Sequence, residues 1–267
     1  MNLSEICIRV CDVAKAAGDF IQTESENFSP ADVELKGHNN LVSYVDKKAE
    51  ELIVSALEKI VPGSGFITEE KTVSEQRKDL MWIIDPLDGT TNFIHKIPCY
   101  CVSIALIQEG KNSLGVIYEP NSGEMFYGYA GGKARMNKTE ICVSPTPLLS
   151  QSLLATGFPY HDYNLMEQYL GVFKTLMKES RGLRRLGSAA VDLAYVACGR
   201  FDGFYEYGLN SWDVAAGAFL VELAGGSVSD FLGGNNYLFG KEIVTTNKKI
   251  HPELLSVIKK HFHSGTE

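Results

Sequence analysis

Trp82-Ile83-Ile84-Asp85-Pro86-Leu87-Asp88-Gly89-Thr90-Thr91-Asn92-Phe93 is the stretch from which the rest of the chain can be read. Trp82, Ile83 and Ile84 make a continuous apolar run, which reads as a buried strand. That strand delivers Asp85 and Asp88 to its end at fixed separation, on a loop bent by Pro86. Two carboxylates held there attract a divalent cation. Gly89, Thr90 and Thr91 follow with flexible backbone, amide donors and hydroxyls, the equipment for holding a phosphate beside that cation. Asp, Pro and Gly are also ordinary turn residues, so taken alone the stretch reads equally as a strand-to-turn connection.

Partners elsewhere decide between the two. Glu69 and Glu70 follow a second apolar strand, Gly65-Phe66-Ile67-Thr68. Far downstream, Asn210-Ser211-Trp212-Asp213-Val214-Ala215-Ala216-Gly217 starts a helix that is apolar nearly all round from Val214 to Ala224, and hence buried. Asp213 falls in its first turn, where a carboxylate also serves as plain helix capping. An acidic strand end, an Asp-Pro-Leu-Asp-Gly-Thr-Thr-Asn loop and a Trp-Asp-x-Ala-Ala-Gly helix start, in this order and at this spacing, resemble the inositol monophosphatase family, its bacterial members most. The resemblance runs from Lys36 to about Asn247.

It implies that Glu69, Asp85, the backbone carbonyl of Leu87, Asp88 and Asp213 bind two or three magnesium ions around a substrate phosphate. Hard oxygen ligands of this kind suit magnesium independently of any resemblance. Two such ions about 3.5 to 4 Å apart can stabilise both the attacking and the leaving oxygen of an in-line displacement. Glu70 is the adjacent candidate, which strand alternation would turn the other way. The resemblance further assigns Thr90 and Asp46, with Glu69, to the catalytic set that orients a water nucleophile. Asp46 heads a segment in which Ala49, Leu52, Ile53, Ala56, Leu57 and Ile60 mark one face of an amphipathic helix, so an N-terminal carboxylate is expected there in any case. Gly89 and Thr90 amides would cradle the phosphate, and Lys36 is a candidate source of charge. One departure stands out: in Asn39-Asn40-Leu41-Val42-Ser43, Asn40 occupies a position where the family usually carries a carboxylate. Weaker binding of a third magnesium is the expected consequence.

Substrate recognition is expected from residues 183–208, LRRLGSAAVDLAYVACGRFDGFYEYG. Within it Ser188, Ala189 and Glu206 match polyol-binding positions of the family. A carboxylate can accept hydrogen bonds from two neighbouring hydroxyls, which is what a sugar or inositol ring offers. Read without the resemblance, Glu206 is a surface carboxylate closing the aromatic strand from Phe201 to Tyr207. Arg184 and Arg185 are open between an interface, a solvated pair and, for Arg185, a place in the site.

Composition agrees without adding specificity. The 267 residues, 45% hydrophobic and 22% charged, suffice for a large core of ordinary globular type. A formal charge of -8 without any basic run argues against nucleic-acid binding. Six cysteines show no metal-ligand spacing and read as reduced core thiols, fitting a cytoplasmic protein. The N-terminus is amphipathic rather than a signal peptide, and no apolar run approaches membrane-spanning length. Periodicity predicts helices over 3–26, 46–60, 164–178, 188–198, 211–224 and 252–262, with strands near 65–68, 81–85, 99–108, 114–119, 124–130, 152–156 and 201–206. The pattern changes after Pro145-Thr146-Pro147, so the expected organisation is one unit of two halves: 1–145, with most metal ligands, and 146–267, with substrate-binding residues and Asp213. For the fold class, α+β, the resemblance implies a layered α-β-α-β-α sandwich of the sugar-phosphatase type, and commonly a homodimer. The expected activity is a lithium-sensitive, magnesium-dependent phosphomonoesterase acting on inositol 1-phosphate or a related polyol phosphate. Alternatives are the same chemistry on 3'-phosphoadenosine 5'-phosphate, fructose 1,6-bisphosphate or histidinol phosphate, or a regulatory protein associated with the transcription machinery.

Overall fold

A computed structural model describes residues 1–28, 33–37, 40–159 and 163–262, with backbone alone for 33–37 and 40–42. Helices α1 (Leu3–Asn27) and α2 (Tyr44–Ile60) flank a hairpin of β1 (Val33–Gly37) and β2 (Asn40–Ser43). A seven-stranded sheet then forms in sequence order from β3 (Gly65–Thr68), β4 (Leu80–Asp88), β5 (Cys101–Gln108), β6 (Lys111–Glu119), β7 (Glu124–Tyr129), β8 (Arg135–Met136) and β9 (Thr139–Glu140). Short helix α3 (Thr90–Ile94) sits between β4 and β5. The remaining chain supplies β10 (Leu153–Thr156), α4 (Met166–Glu179), β11 (Gly182–Arg184), α5 (Ala189–Ala197), β12 (Gly203–Tyr207), α6 (Ser211–Leu223), β13 (Ser227–Ser229), β14 (Glu242–Thr246) and α7 (His251–Phe262). Its five strands make a second sheet in the order β11-β10-β12-β14-β13.

Strand alternation sorts the side chains into layers. Trp82 and Ile84 of β4, with Val102, Ile104 and Leu106 of β5, pack under α1 and α2 against Val10, Ala14, Ile53 and Leu57. Met81 and Ile83 face the opposite way, into a core shared with Ala190, Leu193 and Ala194 of α5 and Val214, Ala218 and Val221 of α6. That core continues onto Ala155, Phe204 and Ile243 of the second sheet. Leu154, Tyr205, Tyr207 and Val244 point outward to α4 and α7, meeting Tyr169, Val172, Leu254 and Ile258. Five layers result, helix, sheet, helix, sheet, helix, with α5 and α6 enclosed between the sheets. This enclosure explains why α6 is apolar all round. It also requires a close approach: a Cβ on Gly115 of β6 would lie 2.8 Å from the Ala216 carbonyl oxygen of α6.

The structure departs from the sequence expectations in detail. The strand expected at 81–85 runs from Leu80 to Asp88, straight through Pro86. The helix expected from Asp46 begins at Tyr44, because Ser43 caps it and accepts the Val45 N–H at 3.1 Å. The β1–β2 hairpin, α3 and the short strands β8, β9, β11, β13 and β14 had no counterpart in the periodicity. Strands of two to five residues carry too few alternations to register, and their pairing partners lie elsewhere in the chain. All six cysteines are free; Cys7 and Cys101 are buried, whereas Cys142 is exposed rather than a core thiol. No described helix is long and apolar enough to cross a membrane.

Candidate active site

β4 ends in an irregularity that sets the site. Asp85 pairs with Ser103 of β5 and Asp88 with Cys101, so three steps on β4 are matched by two on β5. The extra residue at Pro86–Leu87 is a bulge. In a regular strand, residues three apart point to opposite faces; the bulge brings Asp88 round to the side of Asp85. Asp213, at the third position of α6, completes the group: ligand oxygens of Asp85, Asp88 and Asp213 all lie within 4.8 Å of one another. Glu69 follows directly after β3, and its N–H donates to the Ile84 carbonyl at 3.3 Å, which sets it beside Asp85.

The electrostatics show what such a group requires. Burial, then Glu69, Asp88 and Asp213, push the Asp85 carboxyl well above the usual range. Glu69 is raised in the same way, by burial and then by Asp213 and Glu70. Burial and the neighbouring Asp88 push Asp213 up to about 7. Carboxylates crowded like this need protons or cations for company. Magnesium fits the donor set: all oxygen, several anionic, over a span that bonds of about 2.1 Å can draw together.

Each carboxylate is also anchored. Asp85 Oδ1 accepts the Leu87 N–H at 3.0 Å. Asp88 Oδ2 accepts from the Ser188 hydroxyl at 2.6 Å and the Ala190 N–H at 2.7 Å, at the N-terminus of α5. Asp213 Oδ2 accepts the Asn210 N–H at 2.6 Å. Asp46 stands at the same third helical position in α2: its Oδ2 accepts the Ser43 N–H at 2.8 Å and the Ser43 hydroxyl at 2.6 Å. Helix capping and site chemistry are therefore not rival readings of Asp46 and Asp213, because capping occupies one carboxylate oxygen and leaves the other. Asp46 Oδ1 receives the Thr90 hydroxyl at 2.9 Å, and that hydroxyl also lies 3.0 Å from the Leu87 carbonyl.

Glu69, Asp85, Leu87, Asp88, Thr90, Ser188 and Asp213 line a cleft of about 380 Å³. Its walls include Gly89, Thr90 and Thr91 at the start of α3, where first-turn amides have no helical partner. Gly157, following β10, and Tyr207, ending β12, place it at the carboxyl ends of parallel strands, the usual ligand position in such sheets. Asn92 of the opening motif links two distant segments, donating to the Cys99 carbonyl at 2.7 Å and the Leu186 carbonyl at 2.8 Å.

Several sequence readings change here. Glu206 is 5% exposed, facing the enclosed layer with Phe204 rather than the surface. Its carboxylate packs against Gly157, where a Cβ would come within 2.0 to 2.2 Å of its atoms. Glu70 lines the cleft with Glu69 instead of turning away, since β3 stops at Thr68 and alternation no longer applies. Arg185 lines the cleft as well, its guanidinium 5.3 Å from the Phe158 ring, whereas Arg184 is exposed. The Ser188 hydroxyl, expected on substrate, is committed to Asp88 and to the Val191 N–H at 3.3 Å. Ala189 lines the cleft. Asp192 escaped the sequence reading altogether, because a carboxylate inside an apolar helix segment carries no local signal. It is 1% exposed, lines the cleft, and its Oδ1 has no hydrogen-bond partner among the described residues. Burial, then Asp88, raise its carboxyl well above the usual range. Lys36 falls on β1 and Asn40 on β2, and the side chains of both lie outside the described part.

Comparison with known proteins places the chain as a whole. The model of the family described as "Inositol monophosphatase family" matches residues 2–263. The chain is 42% identical over 253 residues to the "Nus factor SuhB" of Pseudomonas aeruginosa, covering 93% of each. It is also 42% identical over 248 residues to the "Inositol-1-monophosphatase" of Mesorhizobium japonicum, covering 92% of this chain and 93% of the relative. Among solved structures, the extragenic suppressor protein suhB of Bartonella henselae superposes with a TM-score of 0.89 at 39% identity, over 97% of this chain and 99% of that one.

Proposed function

The chain belongs to the inositol monophosphatase family, and on that premise we propose that it hydrolyses inositol 1-phosphate, or a polyol phosphate of similar shape, to the alcohol and inorganic phosphate. The observation that carries this reading is the meeting of Asp85, Asp88 and Asp213 within 4.8 Å, in the same cleft as Thr90 and Glu206. Asp85, Asp88 and Asp213, with Glu69 and the Leu87 carbonyl, would hold magnesium, which would supply the positive charge that lets a phosphate enter an acidic cleft and would lower the pKa of a water. Two ions belong to this proposal, with a third weakened at Asn40.

The chain's own groups do the rest. The Thr90 hydroxyl donates to Asp46, so its oxygen remains an acceptor and orients a water toward phosphorus. The water oxygen bonds to phosphorus as the phosphorus–alkoxide bond breaks. Its proton leaves by way of Thr90 and Asp46, and the alkoxide takes a proton from solvent. Amides of Gly89 and Thr90 hold phosphate oxygens. Glu206 accepts from hydroxyls of the ring. Ser188 orients Asp88, and Ala189 leaves room for the substrate.

Phosphate release over a panel of inositol 1-phosphate, sugar phosphates, histidinol phosphate, fructose 1,6-bisphosphate and 3'-phosphoadenosine 5'-phosphate tests the reading. Turnover should be highest on inositol 1-phosphate, absent in EDTA, restored by magnesium and inhibited by lithium. A folded protein that releases phosphate from none of them in magnesium overturns it; preference for a nucleotide or histidinol phosphate moves the substrate and keeps the chemistry. Cytoplasmic location and a homodimer are part of the same proposal, the latter checked by sedimentation. A second reading is favoured by the name Nus factor carried by the Pseudomonas relative: association with transcription machinery. Co-purification of transcription components with the tagged chain tests it independently of turnover.

A further inference from the structure

Glu50 is fully buried on α2, one helical turn beyond Asp46, among the apolar residues Ala49, Ile53 and Val54. Nothing in the chemistry so far uses it. Its Oε2 accepts the Glu70 N–H at 2.7 Å, and its Oε1 accepts both the Thr72 N–H at 2.8 Å and the Thr72 hydroxyl at 2.7 Å. All three donors belong to the connection that leaves β3 immediately after Glu69. Between them Lys71 is held at φ 55°, a left-handed conformation that non-glycine residues adopt at a cost.

Glu69 is thus gripped from two sides. Its own N–H is bound to the β4 backbone at Ile84, and the N–H of the next residue is bound to Glu50. The i, i+4 spacing of Asp46 and Glu50 puts both carboxylates on one face of α2. One receives the Thr90 hydroxyl and the other receives the Glu69–Thr72 connection. A buried carboxylate is expensive unless its acceptors are filled, and here the donors that fill them are those whose placement determines where Glu69 and Glu70 meet the cleft.

We propose that Glu50 is a positioning residue for the metal centre: it fixes the Glu69–Thr72 connection so that the Glu69 carboxylate is held ready against Asp85 for a divalent cation. This rests on the assignment of Glu69 as a magnesium ligand. Removing the partners that orient metal ligands typically costs about 10–100-fold in metal affinity.

The test uses the full-length protein with Glu50→Gln, which keeps shape and removes an acceptor, and Thr72→Val, which removes one of the three hydrogen bonds from the other side. Magnesium affinity is read without turnover, from the thermal midpoint as a function of magnesium concentration, and amide exchange is followed over residues 69–73. Expected for Glu50→Gln is a magnesium midpoint raised about tenfold or more, with faster exchange confined to that segment; Thr72→Val moves both in the same direction by less. If both variants keep the wild-type magnesium midpoint, or lose only the thermal midpoint measured in EDTA, Glu50 is a core residue and the proposal is wrong. Should Glu50→Gln fail to fold, Thr72→Val decides alone. Wild-type protein that binds magnesium yet hydrolyses no phosphate defeats the proposed function and leaves this inference standing.

Discussion

Asp213 carries two duties on two oxygens. Asp213→Asn keeps an acceptor for the Asn210 N–H and removes the charge that faces Asp85 and Asp88. A fall in kcat on the order of a hundredfold or more is expected, comparable to losing one preorganised electrostatic contact. The thermal midpoint in EDTA should not fall, because in the metal-free protein this charge is resisted by burial and by Asp88. Near-normal kcat with earlier unfolding would reduce Asp213 to a helix cap. Glu206 separates substrate recognition from chemistry. Glu206→Gln should depress turnover of inositol phosphate far more than that of a small aryl phosphate without ring hydroxyls, since an acceptor matched to hydroxyls discriminates only when they are present. Equal losses on both substrates would assign Glu206 to the metal site.

At the scale of elements, the site is a meeting of helix starts. α2 brings Asp46, α5 brings Ser188 and the Ala190 amide, and α6 brings Asp213. Each N-terminus adds partial positive charge where carboxylates and a phosphate must coexist. The position of α6 depends on the depth to which it sinks onto the seven-stranded sheet, and Gly115 permits that depth. Gly115→Ala should force α6 outward. Overpacking of this kind costs about 1–3 kcal/mol, a fall in thermal midpoint on the order of 5 °C in magnesium and EDTA alike. Because Asp213 rides on α6, kcat should fall as well. An unchanged midpoint would show that the strand–helix distance does not set the site.

For the whole molecule, the acidic cluster couples stability to pH and metal together. Glu69, Asp85 and Asp213 have raised carboxyl pKa values in the folded protein, Asp213 from 3.8 to about 7. Between those values the native state binds protons that the unfolded chain has released, so stability falls as pH rises. The loss begins near pH 4 and, for Asp213, is complete above about 7. In EDTA the thermal midpoint should therefore drop from pH 5 to pH 8, by an amount corresponding to a few kcal/mol. Saturating magnesium should flatten or invert that slope, because the cation binds the deprotonated carboxylates and replaces the protons. Parallel curves with and without magnesium would mean that the cation does not bind at these carboxylates.

What the sequence determined by itself is local. The apolar run of Trp82 to Ile84, the helical periodicity of Ile6, Val10, Ala14 and Ile21 along α1, and the helix start at Asn210-Ser211-Trp212-Asp213 all act within a few residues of themselves. Such signals fix strands, helices and their ends, whereas Asp85, Asp88 and Asp213 were singled out together only through the resemblance to the inositol monophosphatase family. Only the tertiary structure decided that Asp85 and Asp88 face the same way, since the bulge at Pro86–Leu87 exists only against the register of β5. It alone turned Glu70 into the cleft, buried Glu206 against Gly157, committed the Ser188 hydroxyl to Asp88, and gave Asp192 and Glu50 a place in or beside the site. The physical reason is distance along the chain. Periodicity and capping are read from neighbours, whereas the direction of a side chain in this cleft is set by how two sheets and the helices between them close on one another.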